Sequence, residues 1–87
     1  MSKIIFIIGS VTTAARLKKE IEKMGGIEAE VIHTPAEISG GSCSYSVRVN
    51  YDSLLIGLEA SKAYNIKIKK IYREASDGKE RIYDDIS

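Results

Sequence analysis

The five consecutive residues Ile4-Ile5-Phe6-Ile7-Ile8 constrain the fold of this chain more than any other feature. A half-exposed strand alternates apolar with polar side chains. An unbroken β-branched and aromatic run therefore reads as a strand buried on both faces. Such a strand belongs in the middle of a sheet. Gly9-Ser10 ends the run, and Ser10 is a good helix N-cap. Val11, Ala14, Leu17, Ile21 and Met24 then recur at helical spacing over 11–24, with Arg16/Glu20 and Lys18/Glu22 as pairs on the wet side. Gly25-Gly26 stops that helix.

Two later stretches alternate with the period of a strand. In 27–33, Ile27, Ala29, Val31 and His33 share a face opposite Glu28 and Glu30. In 42–50, Cys43, Tyr45, Val47 and Val49 share a face opposite Ser44, Ser46 and Arg48. Between them, Thr34-Pro35-Ala36-Glu37 has a capping-box pattern with proline at the first helical position, which predicts one short helical turn before Gly40-Gly41. A second long helix is predicted over 53–64, capped by Asp52 or Ser53, with Leu54, Leu55, Leu58 and Ala63 as its apolar side. A fourth strand is predicted over 66–73, with a bulge near Lys69-Lys70 where the pattern slips. Asp77-Gly78 reads as a two-residue hairpin turn that sets Glu74 opposite Arg81 and Tyr72 opposite Tyr83, followed by a fifth strand near 80–84.

The order β-α-β-β-α-β, with right-handed crossovers, gives an α+β ferredoxin-like sandwich. One antiparallel sheet carries two helices on one face, the first and third strands are central, and an extra C-terminal strand is added at an edge. The 87 residues fit a single domain. A chain of this length buries only about 60–65% of its unfolded surface. With one cysteine it has no intrachain disulfide, so it must pack efficiently or associate. Its 13 basic and 12 acidic side chains leave a net charge of +1, which argues against nucleic acid as the main partner. No apolar run approaches the roughly 18–20 residues of a membrane span, and the opening run is too short for a signal peptide. The expected setting is a reducing cytoplasm, where a lone thiol stays reduced.

Cys43 is the residue with chemistry to offer. The third strand runs antiparallel to the first, so its beginning is expected beside Gly9, Ser10 and the first turn of the first helix. A helix N-terminus favours an anion, and a thiolate or persulfide is one. Ser10, Thr12 and Thr13 could add hydroxyl donors from the helix side. Ser39, Ser42 and the amides of Gly40 and Gly41 could do so from the loop side, making a small anion nest. A cysteine on the inward register of a strand is also, often, a small hydrophobe. The pattern alone leaves both readings open. His33 ends the second strand at the same end of the sheet, where it could serve the thiol as base or hydrogen-bond partner, or stand as a partly exposed shoulder residue. Neither Ser10 nor Ser42 sits in a Gly-x-Ser-x-Gly elbow. Gly9-Ser10 lacks the spacing and the lysine of a phosphate loop. Lys67, Lys69 and Lys70 form a small basic strip, read as a solvated edge that discourages sheet-to-sheet pairing.

The segment Thr34-Pro35-x-x-Ile38-Ser39…Cys43, the strand after it and a helix ending near Asn65-Ile66 resemble the small selenium/sulfur (Se/S) carrier-like domains, a family first catalogued as a domain of unknown function. The resemblance covers about 3–74, leaving 75–87 as a hairpin extension. Members often read Cys-Gly where this chain has Cys43-Ser44. The resemblance implies that Cys43 is a carrier residue. It would accept sulfur or selenium from a donor enzyme's persulfide, hold it as Cys-S-S⁻ or Cys-S-Se⁻, and pass it to an acceptor protein. Neither metal nor cofactor is needed, and the protein would be a transfer intermediate more than a stand-alone enzyme. The alternative is a non-catalytic ligand-binding or dimerisation module, in which Cys43 is dispensable and a homodimer forms through edge strands. An RNA-binding sheet of this topology would need stacked aromatics on its central strands, where the first strand offers only Phe6.

Overall fold

The fold, seen in a computed structural model that describes residues 2–41 and 43–87, is built around β1 (Ser2–Gly9). Ile4, Ile5 and Phe6 are fully buried and Ile7 and Ile8 nearly so, so both faces of β1 are covered, as its sequence requires. β3 (Tyr45–Asn50) and β4 (Lys70–Asp77) flank it, each antiparallel. β2 (Glu30–His33) pairs with the outer side of β3, and β5 (Glu80–Asp85) with β4, in the order β2-β3-β1-β4-β5. α1 (Val11–Gly25) and α3 (Leu54–Ala63) cover one face. Ile4, Phe6 and Ile8 of β1 there join Ala14, Leu17 and Ile21 of α1, Val47 and Val49 of β3, and Ala60 of α3 in the core. α2 (Ala36–Ser39) is the short turn between β2 and β3. This is the expected ferredoxin-like α+β sandwich with an added edge strand.

The start and stop of α1 follow its sequence. The Ser10 hydroxyl accepts from the Thr13 N–H at 3.1 Å, and Gly26 ends the helix at φ +62° with its N–H on Glu22 O at 2.9 Å. Lys18 pairs with Glu22 at 2.8 Å. Arg16 does not follow the same pattern with Glu20. It lies over the Tyr64 ring, 5.9 Å from its centroid, while the nearby Glu20 carboxylate raises the pKa of the Tyr64 phenol. Val11 and Met24, near the two ends of the helix, are about half exposed.

The apolar side predicted for α3 needs correction. A Cβ on Gly57 would sit 2.4 Å from the Phe6 ring, so α3 is turned to present its smallest residues where it crosses β1. Gly57, Ala60 and Ser61 are buried, Leu54 and Leu58 are partly buried, and Leu55 is 71% exposed with Ala63 exposed as well. A ring edge needs a flat surface to pack on, and here close approach outranks side-chain size.

Strand boundaries move too. β2 starts at Glu30 because the Ala29 N–H donates to the Glu22 carboxylate at 3.3 Å, out of the ladder. β4 starts at Lys70, and its register against β1 runs unbroken from Ile7↔Lys70 to Ser2↔Ala75. The bulge expected near Lys69-Lys70 is therefore on β1 instead, where pairing with β3 jumps between Ile7 and Gly9 and Gly9 takes φ +119°. The hairpin turns at Gly78-Lys79, not Asp77-Gly78, with Gly78 at φ +64° in the first central position. Tyr83 thus faces Glu74 and Asp85 faces Tyr72. A slip of two residues keeps every side chain on its face, so Arg81 still reaches Glu74 diagonally at 3.6 Å. The new register adds Arg73–Asp84 at 3.0 Å and Lys70–Asp85 at 3.2 Å.

The face away from α1 and α3 is not bare. Ile5 and Ser46 on it are fully buried. The charge of Glu37 in α2 acts on Tyr83, although β2 and β5 are opposite edges of the sheet.

Candidate functional site

Three chain segments meet at one end of the sheet: the end of β1, the start of β3 and the start of β4. Cys43 lies two residues before β3, and its side chain is exposed. Together with Ser44 it forms a wall common to two cavities. The larger, about 500 Å³, is completed by Ile8, Gly9, Ser10, Thr13, Lys67 and Lys69. The smaller, about 300 Å³, is completed by His33, Thr34, Ala36, Ser39 and Gly41.

Most of the residues singled out from the sequence are gathered here. Ser10 lines the larger cavity while capping α1; its hydroxyl also donates to Thr13 Oγ1 at 2.9 Å. Thr12 is exposed and lines neither cavity, and the next residue, Thr13, takes that place. The helix phase explains the exchange, since Thr13 is the residue bonded to the cap. Gly41 lines the smaller cavity, and its amide donates to the Ser39 hydroxyl at 3.2 Å. Gly40 ends α2 at φ +67° and lines neither cavity. Ser42 lies outside the described residues. His33 is exposed at the rim of the smaller cavity, with its ring 4.6 Å from that of Tyr45 and tilted by 36°.

Sequence reasoning missed Lys67 and Lys69 as neighbours of the thiol. Lys69 is anchored by its backbone, whose N–H donates to Ile7 O at 2.8 Å. Its ammonium lies against Gly9, where an added Cβ would come within 3.1 Å of Nζ. Among the described residues, neither Lys67 nor Lys69 forms an ion pair. The topology that brings Cys43 to the end of β1 brings the start of β4 there as well, and that was the available signal. The N-terminal end of α1 and two lysines therefore line one cavity that Cys43 borders. That arrangement suits an anion attached to, or approaching, the sulfur.

Among the described residues, no group of three or more His, Cys, Asp or Glu side chains converges as a metal site. None of the helices described is long and apolar enough to cross a membrane. Residues 3–73 match the family model described as "Putative Se/S carrier protein-like". Comparison with curated proteins and with solved structures returns no match.

Proposed function

We propose, because this chain belongs to the Se/S carrier protein-like family, that Cys43 carries one sulfur or selenium atom between partner proteins. The observation that carries this reading is the placement of the one cysteine of the chain, exposed, on the wall of a cavity that also holds Lys67, Lys69 and the start of α1.

The chemistry is a thiol–persulfide exchange. The Cys43 thiolate attacks the terminal sulfur of a donor persulfide, R–S–SH. The new bond is Cys43 Sγ–S, the donor S–S bond breaks, and its electron pair leaves on R–S⁻. The product Cys43–S–SH gives its proton to solvent and persists as Cys43–S–S⁻, and a selenium donor yields Cys43–S–Se⁻ in the same way. No net oxidation occurs, because the transferred atom arrives at the oxidation level at which it is held. An acceptor thiolate reverses the sequence. Ser10 and Thr13 offer hydroxyls, and the two lysines offer charge, where the terminal atom would lie. His33, across the smaller cavity, would serve the Cys43 thiol as base or hydrogen-bond partner. The Ser42 hydroxyl remains a proposed loop-side donor, whereas the Gly41 amide is engaged by the Ser39 hydroxyl and Gly40 lines neither cavity. The setting proposed is the reducing cytoplasm, and the working unit is one domain with 75–87 as its hairpin extension.

The test is intact-mass spectrometry after incubation with a cysteine desulfurase and cysteine. The wild-type chain gains one sulfur, a reductant removes it, and Cys43→Ser gains none. A wild-type chain that gains nothing, or a Cys43→Ser chain that gains as much, contradicts the reading.

A further inference from the structure

The β2–β3 connection leaves and rejoins the sheet through Thr34 and Ser44. The Thr34 N–H donates to the Ser44 carbonyl at 2.9 Å, one step beyond the His33↔Tyr45 pair that ends the ladder. The Ser44 hydroxyl donates to Thr34 Oγ1 at 2.7 Å, and Thr34 Oγ1 lies 2.6 Å from Ser46 Oγ. Thr34 is 8% exposed and Ser46 is fully buried. Three hydroxyls thus run from the cavity wall into the sheet, where an unmade hydrogen bond costs most. The His33 and Tyr45 rings, tilted by 36° with centroids 4.6 Å apart, meet at the adjoining pair of the ladder. Ser44 is gripped by both its carbonyl and its side chain. Cys43 is the next residue out, the first on the loop side of the grip, and it stands where the two cavities meet.

We propose that Thr34 is a positioning residue for Cys43: its hydroxyl fixes Ser44 and so aims the thiol at the cavity of Lys67 and Lys69. This rests on the carrier reading above. A neck that served folding alone would affect stability and nothing else. A neck that aims the thiol has a second effect, because an exposed sulfur reacts with a small neutral reagent from many directions, whereas a persulfide anion is held well only where the charge is. Valine at 34 keeps the branched shape and the backbone N–H and removes the hydroxyl. Serine keeps the hydroxyl and loses a methyl.

The experiment measures two rates for wild type, Thr34→Val, Thr34→Ser and Ser44→Ala, at a temperature where circular dichroism shows each folded. One is sulfur uptake from a low-molecular-weight persulfide, and the other is alkylation by iodoacetamide. Thr34→Val and Ser44→Ala should take up sulfur about tenfold more slowly, the scale of a small misplacement of a reacting group. Thr34→Ser should stay within about twofold of wild type, and alkylation should be unchanged in all. Thr34→Val or Ser44→Ala loading at the wild-type rate overturns the proposal. If Thr34→Val does not fold, Ser44→Ala decides the matter from the loop side. A wild-type chain that takes up no sulfur defeats the carrier reading and this proposal together. A wild-type chain that loads, beside hydroxyl-deleted variants that load as fast, defeats only the positioning role.

Discussion

Lys69 meets Gly9 so closely that any larger residue at 9 would displace its ammonium, and Gly9 itself holds φ +119°. The basic wall of the Cys43 cavity is therefore tied to a backbone feature of β1. Replacing Lys67 and Lys69 together by alanine should slow sulfur uptake by about tenfold, which corresponds to about 1.4 kcal/mol of lost charge attraction. The loss should shrink as salt is added, since such charges are screened within about 10 Å at 0.1 M. Stopped-flow uptake at two ionic strengths checks this, and a salt-independent rate equal to wild type would contradict it. The approach of Cys43 to Gly9 and Ser10 was legible before any coordinates, because antiparallel pairing of the first and third strands requires it. The lysines were not, for a local reason. A strand drawn from 66 places both on its flank as edge side chains, whereas β4 starts at Lys70 and leaves Lys67 and Lys69 in the approach to the sheet.

α3 shows the same limit at the scale of an element. Its sequence is apolar almost all round, so periodicity could not say which side faces in. What decides is Gly57 over Phe6, a contact between two elements far apart in the chain. Gly57→Ala should destabilise the fold by about 1–3 kcal/mol through overpacking, despite the better helix propensity of alanine. Urea denaturation should show a lower midpoint with an unchanged slope. A midpoint at or above that of wild type would mean that α3 can lift from β1 freely. The β4–β5 hairpin carries a pH signature. Burial holds the Tyr83 phenol above its ordinary 10.0, and the Glu74 carboxylate beside it adds to the rise. The protonated phenol is the form the fold favours, so its contribution is complete below pH 10.0 and is lost as pH climbs through the raised value. Asp85 is held below its ordinary 3.8 by the Ser87 N–H and hydroxyl and then by Lys70. Its contribution is complete above pH 3.8 and is lost as pH falls through the lowered value. Thermal melts across pH should fall off at both ends, with Tyr83→Phe flattening the alkaline limb and Asp85→Asn the acid one. Limbs unchanged in those variants would assign them to other groups. The hairpin itself was legible in Asp77-Gly78, but its register was not. Glycine suits either central position of a two-residue turn, and the observed register brings Arg73 to Asp84 and Lys70 to Asp85.

Across the whole molecule, charge is organised on the face away from α1 and α3. Glu30 on β2 pairs with Arg48 on β3 at 3.3 Å, Arg48 reaches Glu74 on β4 at 3.5 Å, and Arg81 on β5 reaches Glu74 at 3.6 Å. Glu74 is 6% exposed, so these long pairs hold a buried carboxylate whose desolvation would otherwise be costly. Alternation marked Arg48 as polar-facing but could not reveal that it would bridge Glu30 on one neighbouring strand and Glu74 two strands away. Sheet order, by contrast, followed from the strand and helix sequence and the handedness of crossovers. It places two chain segments beside the end of β1: the thiol from one and the lysines from the other. The central claim is that this end of the sheet holds one chalcogen atom reversibly on Cys43, and an isotope chase tests it most directly. The wild-type chain is loaded with isotope-labelled sulfane sulfur, freed of donor and mixed with an acceptor thiol, while its intact mass is followed. The account predicts one labelled atom bound, then its appearance on the acceptor as the chain returns to its starting mass. A label that never binds, or that binds equally to Cys43→Ser, would contradict it.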